Sequence, residues 1–244
     1  MELVITQRQE ALLTSIIKEY VETAEPVSSK FLEKSGFFDL SSASIRGEMN
    51  DLEGAGFLTH LYTSSGRVPT DKAYRYFVDN LIESDAELPR EHRQAIKNTI
   101  QDASDDPWLV NKAIAQLLSD LSDSLVITNV SQNNDFYKIG LSSLFDMPDF
   151  RALDKAFRLT HFFDEFETVF AAMEKEFFGR GDEFRVTIGR ENPVKNIKEE
   201  TVISARYNLP QNYVGTLTMV GPMRMDYKRN IGLVKYTKEM LDNL

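Results

Sequence analysis

Residues 41–70, SSASIRGEMNDLEGAGFLTHLYTSSGRVPT, decide how the first part of this chain is read. Ser41-Ser42 supplies an N-cap hydroxyl, and Ile45, Met49 and Leu52 recur at the spacing of one helix face. The pattern predicts a helix that Gly54 or Gly56 stops. Phe57 to Tyr62 is short and β-prone, Thr63 to Arg67 is a polar turn containing glycine, and Val68-Pro69-Thr70 follows, which predicts two strands around a basic tip. On the N-terminal side, Ser28 caps a short helix through Phe31, Leu32 and Lys34, with Gly36 at its end. Before it, Thr6 and Gln9 form a capping box for a helix whose Leu12, Leu13, Ile16, Ile17, Tyr20 and Val21 make an apolar stripe, broken at Thr23 to Val27. Helix, short helix, capped helix and hairpin is the order of a winged helix-turn-helix. Thr70 or Asp71 then caps a helix that carries Tyr74, Tyr76, Phe77, Val78 and Leu81 out of this domain, which spans residues 1–82.

Residues 83–90 are polar, aperiodic and contain Pro89, as a linker does. Residues 91–244 read as an α+β domain with a small, largely antiparallel sheet. Two helices come first, Arg90 to about Ala103 and one opened by Asp106-Pro107 that carries Trp108, Ile114, Leu117, Leu118 and Leu121. Leu125 to Val130 and Phe136 to Leu141 are strands around the turn Ser131 to Asn134. An acidic amphipathic helix, or a pair, covers Pro148 to Phe178. Three strands, Glu183 to Ile188, Thr201 to Tyr207 and Tyr213 to Val220, precede a final helix from Asp226 to about Leu241.

The 244 residues suit one large domain or two small ones. No segment is apolar enough for a bilayer and the opening residues lack a signal-peptide pattern, so the expected location is cytoplasmic, with no membrane contact. With no cysteine there is no disulfide, thiolate nucleophile or Cys-based metal site. His60, His92 and His161 are isolated, and no phosphate loop or nucleophile elbow occurs. The expectation is therefore a protein that is not an enzyme and uses no cofactor or metal.

Charge argues against nucleic acid at first: 38 acidic groups against 28 basic leave −10, and residues 1–79 are themselves negative, with twelve acidic and eight basic groups. Position matters more than the total. Lys30, Arg46, Arg67, Lys72 and Arg75 fall on the second helix, the third helix, the hairpin and the helix after it, which converge on one side of a winged helix, whereas Glu10, Glu19, Glu22 and Glu25 lie on or just after the first helix. On charge alone a solvated, mixed-charge surface is the better reading. Residues 180–238 hold eleven basic and six acidic groups, an asymmetry that suits packing within the chain or between subunits.

Pro26 to Lys30, Ser41 to Glu53 and Thr63 to Tyr76 resemble the DNA-binding end of the HrcA family, bacterial repressors of heat-shock chaperone genes. Gly140 to Phe145, Ile188 to Asn192 and Gly221 to Tyr227 resemble its C-terminal end. The resemblance implies a winged helix followed by a GAF-like domain, a homodimer on double-stranded DNA with an inverted-repeat operator, and regulation by a chaperonin that keeps the repressor active. Family members run about a hundred residues longer, a small domain's worth, and the gap falls between Val130 and Gly140, where relatives carry an inserted region implicated in dimerisation. Gly47 replaces an asparagine usual in the recognition helix, and Ser65 and Met223 are milder departures.

The candidate DNA-binding residues are Lys30, Ser42, Ser44, Arg46, Asn50, Ser65, Arg67, Lys72 and Arg75. Arg grips guanine and Asn adenine from the first turns of a recognition helix, Ser reaches base or phosphate, and a wing arginine enters a minor groove. Lys30, Lys72 and Arg75 suit phosphates. The competing readings are helix capping, solvation and pairing with nearby carboxylates. Gly221 to Tyr227 reads as architecture, with Asp226 capping the last helix. Two other functions stay open: a regulator whose GAF-like domain senses a metabolite, and an interaction module that has lost operator binding.

Overall fold

A computed structural model describes residues 5–62, 66–81, 88–103, 106–131, 135–178 and 181–244. The chain forms two compact units, Met1–Ser84 and Asp85–Leu244.

In the first unit, α1 (Gln7–Thr23) opens on a capping box: Thr6 Oγ1 accepts from the Gln9 amide, and Gln9 Oε1 accepts from the Thr6 amide. It ends where Ala24 turns left-handed at φ 57°. Ser28 caps α2 (Ser29–Lys34) and Ser41 caps α3 (Ser42–Gly54). α3 stops in a Schellman turn: Gly56 takes φ 80°, its amide donates to Glu53 O, and the Phe57 amide reaches back to Leu52 O, each at 2.9 Å. Leu12, Leu13, Ile16 and Ile17 of α1 are buried together with Leu32, Ile45, Met49, Leu52, Phe57 and Tyr74. Burying each such side chain contributes about 1.5–3 kcal/mol, which holds short helices that would not persist alone.

β1 (Leu58–His60) and β2 (Arg67–Pro69) pair antiparallel with Thr59 opposite Val68. The segment read only as a helix break adds a third contact, because Val27 and Arg67 exchange backbone hydrogen bonds of 2.9 and 2.8 Å. That closeness requires Gly66, where a Cβ would lie 2.5 Å from Val27 O and 2.6 Å from Pro26 O. Thr70 caps α4 (Asp71–Tyr76) and also donates to Gly56 O at 2.8 Å, so one hydroxyl joins the end of α3 to the start of α4. A π turn continues α4 through Phe77–Leu81. The Tyr76 hydroxyl donates to Glu10 of α1, and burial, with that carboxylate, pushes its pKa up to about 12.

The second unit is α+β. α5 (Arg90–Asp102) and α6 (Pro107–Ser122) precede β3 (Leu125–Val130) and β4 (Asp135–Ile139); α7 (Leu141–Asp146) and α8 (Leu153–Phe178) precede β5 (Phe184–Ile188), β6 (Glu200–Leu209) and β7 (Tyr213–Pro222), and α9 (Tyr227–Asp242) closes the order. The sheet runs β4-β3-β7-β6-β5, antiparallel at every pairing. α6 and α9 pack on one face. On the other, Phe162, Phe166 and Phe170 of α8 cover Leu125, Ile127, Val202 and Val220.

Two expectations needed correction. The strand expected through Leu141 ends at Ile139, because Gly140 turns at φ 94° with its missing Cβ only 2.2 Å from Ser124 O, and α7 starts there. The helix expected from Pro148 begins at Leu153, after a separate 3-10 turn at Pro148–Phe150.

Asn192 ties the far end of the sheet together. It is wholly buried; its Nδ2 donates to Gly189 O, Ile197 O and Glu200 O at 3.0, 2.8 and 2.7 Å, and its Oδ1 accepts from Thr187 Oγ1. Asp226 caps α9, Tyr227 bonds Thr201 and Met223 O, and Arg224 pairs with Asp149. The stretch Gly221 to Tyr227 thus has an architectural role.

Candidate nucleic-acid interface

α3 divides cleanly. Ile45, Met49 and Leu52 are buried, while Ala43, Ser44, Arg46, Gly47, Asn50 and Asp51 are exposed. The exposed surface is held from several sides. The Ser42 amide donates to Glu33 Oε1 at 2.9 Å, and the Ser42 and Ser29 hydroxyls share a 3.0 Å bond, which fixes α2 against the start of α3. Arg8 of α1 pairs with Glu48 on α3. Ser44 bonds the capping hydroxyl of Ser41 through its amide at 3.3 Å and its Oγ at 3.1 Å.

The nine candidate residues fall into distinct settings. Lys30 and Arg46 are exposed and have no ion pair or side-chain hydrogen bond among the described residues. Ser42 is half-buried at the α2–α3 contact, and Ser44 and Asn50 are exposed on α3. Ser65 lies outside the described residues.

Arg67 departs from its expected place. It is the first residue of β2, its side chain is 12% exposed, and its Nε and Nη2 both hold Glu53 Oε2 at 3.0 and 2.8 Å while Nη2 also donates to Asn50 Oδ1. The guanidinium joins the turn end of the hairpin ladder, where Arg67 pairs with His60, to the last turns of α3. Lys72 donates to Ala55 O at 2.6 Å, where a cation complements the carbonyl end of α3, and lies over the Phe57 ring. Arg75 pairs with Asp79 one turn on.

Lys34, exposed and without an ion pair among the described residues, is a further cation that the sequence reading missed; its spacing four residues after Lys30 on α2 is the signal that places the two amines on one helix face. The acidic excess is also engaged locally. Glu33 caps α3, Glu48 holds Arg8, and Glu53 holds Arg67 with His60 at 3.5 Å. Asp51 remains exposed on α3. The surface formed by α2 and the outer side of α3 therefore offers Lys30, Lys34 and Arg46 as uncommitted cations despite the negative total.

Among the described residues no group of three His, Asp or Glu is placed to hold a metal. No described helix is long and apolar enough to cross a membrane.

A family model described as the HrcA protein C terminal domain matches residues 70–231. The heat-inducible transcription repressor HrcA of Oceanobacillus iheyensis is 27% identical over 335 aligned positions, covering 98% of this chain and 97% of that one. The protein of the same name from Natranaerobius thermophilus is 26% identical over 325 positions, covering 93% of each. Since 335 positions are spanned by a chain of 244 residues, at least 91 of them face no residue here. A crystal structure of a hypothetical protein at 2.2 Å resolution has the same fold, with a TM-score of 0.80, 18% identity and 98% of each chain covered.

Proposed function

The chain belongs to the HrcA family, whose curated relatives are heat-inducible transcription repressors, and from that premise we propose that it represses heat-shock chaperone genes by binding an inverted-repeat operator as a dimer. Its first unit is read as a winged helix, with α2 and α3 as the helix-turn-helix and β1–β2 as the wing. The second unit is read as a GAF-like domain that supplies dimerisation. A dimer places two copies of α3 about one DNA turn apart, roughly 34 Å, which matches a two-fold operator. Bound there, the protein excludes polymerase, and heat relieves the block.

The observation that carries this reading is the exposed, uncommitted Arg46 on a helix whose opposite face is fully buried and whose N-terminal turn is bonded to α2. A side chain used for base recognition needs that combination of rigid backing and a free head. Ser44 and Asn50 flank Arg46 on the same outer surface. Lys30, with Lys34, is assigned to phosphates. Arg67, Lys72 and Arg75 are assigned mainly to holding the wing and α4 in register with α3, because each already has an internal partner.

The β3–β4 hairpin marks the place where longer relatives carry their extra residues on this reading, so dimerisation falls to what remains of the second unit. The test is a gel-shift comparison of wild type and Arg46→Ala on a chaperone-promoter inverted repeat and on random duplex. Arg46→Ala should lower the preference for the repeat by about 5- to 150-fold, the loss of one bidentate base contact. An unchanged preference would remove Arg46 from base recognition, and no preference in wild type would overturn the function.

A further inference from the structure

The sheet face beneath α8 is apolar at one end and polar at the other. Toward its polar end, the strand register brings Phe136, Asn129, Thr216 and Arg206 into one row across β4, β3, β7 and β6, with Thr218 and Ser204 beside it. Alternation fixes which way the row points. Thr128 and Tyr207 bond Asn111 of α6 on the opposite face, so their neighbours Asn129 and Arg206 face α8.

Three features of this row are foreign to a packing surface. Asn129 is 1% exposed, and no protein group among the described residues bonds its Oδ1 or its Nδ2. Arg206 is half-buried, and its guanidinium has no ion pair among the described residues. Thr216, Thr218 and Ser204 are all buried hydroxyl residues, of which the last two share only a long 3.4 Å contact. Strands lie about 4.8 Å apart, so Arg206 and Asn129 stand roughly 10 Å from each other with Thr216 between them. Phe136, edge-on to Phe166 at 5.7 Å and to Phe170 at 5.0 Å, walls the end beyond Asn129. If these positions served only to pack under a helix, apolar residues would do so without a desolvated amide.

We propose that this row is the floor of a binding site for a small organic anion, whose carboxylate or phosphate pairs with Arg206 and whose hydroxyl or amide satisfies Asn129. Arginine suits this role because its planar fork matches either oxyanion. The amide, with a donor and an acceptor, reads the polar far end of the molecule. Phe136 gives the site an apolar wall that favours a carbon skeleton over a bare ion. The site lies wholly within the second unit, and its existence does not depend on operator binding.

The test uses the full chain, ¹⁵N-labelled, titrated separately with citrate, inorganic phosphate and sodium chloride matched in ionic strength. Citrate or phosphate should shift the Asn129 side-chain amide and the Arg206 Nε resonance saturably at millimolar concentration, and sodium chloride should not. Comparing the two probes distinguishes a carboxylate from a phosphate ligand. Arg206→Gln should weaken binding at least tenfold. Asn129→Leu should abolish the amide-linked response yet raise the ligand-free Tm by about 2–4 °C, because it removes a desolvated group that only a ligand satisfies. The proposal is overturned if neither probe gives a saturable shift, if Arg206→Gln binds as tightly as wild type, or if Asn129→Leu lowers the Tm. The last result would show a hydrated piece of core.

Discussion

Replacing Arg67 by methionine separates a residue that builds the reading surface from one that touches DNA. The guanidinium makes 3.0 and 2.8 Å contacts to one oxygen of Glu53 and a further bond to Asn50, and its side chain is 12% exposed. Glu53 is 32% exposed, so when its partner is removed the carboxylate regains much of its hydration. The cost should therefore be about 1–2 kcal/mol, above a surface pair and below the 3–5 kcal/mol of a fully buried one. Urea unfolding of the full chain measures it. In parallel, the slope of log affinity against log salt on the inverted repeat should stay unchanged for Arg67→Met, although affinity falls as the hairpin loses its register. Lys30→Ala should instead leave stability intact and reduce that slope by about 0.9, the signature of one lost phosphate contact. If Arg67→Met reduces the slope as Lys30→Ala does and costs no stability, the guanidinium leaves Glu53 for the DNA backbone and its assignment here is wrong.

Asn192→Ala removes bonds to Thr187, Gly189, Ile197 and Glu200 in a site with no access to water, and should cost about 3–5 kcal/mol in urea unfolding; a loss under about 1 kcal/mol would show the knot to be dispensable. Burial pushes the Glu200 carboxyl up from 4.5 to about 7. The folded state then holds a proton that the unfolded chain releases, so this group's contribution is most favourable below about pH 4.5 and is lost as pH rises to about 7, by roughly 3 kcal/mol at most. Glu200→Gln should remove that part of the decline, and identical stability–pH curves for the two proteins would contradict it. Gly47 is exposed, and a Cβ there meets nothing within 4 Å, so Gly47→Ala should stabilise α3 by up to about 1 kcal/mol; a destabilised variant would mean that the glycine is needed for its backbone.

Helix starts were legible because capping is local chemistry. Thr6, Ser28, Ser41, Thr70, Asp106 and Asp226 each accept from an amide two or three residues ahead, and the hydroxyl or carboxylate is visible in the sequence. The buried stripe Ile45, Met49 and Leu52 followed from periodicity for the same reason. What escaped depends on contacts distant in sequence. Glu53 meets Arg67 across 14 residues, and Glu48 meets Arg8 across 40, so counting charges by element could not show which cations were already engaged. The corner at Gly140 arises from the approach of the Ser124 backbone, which no local pattern announces. In the sequence Asn192 is only the last residue of the stretch Ile188 to Asn192, and its four bonds appear only once the strands are in place. The row from Asn129 to Arg206 is likewise a product of register, since the two lie 77 residues apart in sequence.

The central claim is sequence-specific DNA binding by a chain whose net charge is −10. Its most direct test is the affinity ratio between an inverted-repeat chaperone-promoter fragment and a scrambled duplex of the same length and composition, measured by fluorescence anisotropy at physiological salt. The account predicts a ratio of about 10³ or more, with two protomers on each repeat. A ratio near one would contradict it.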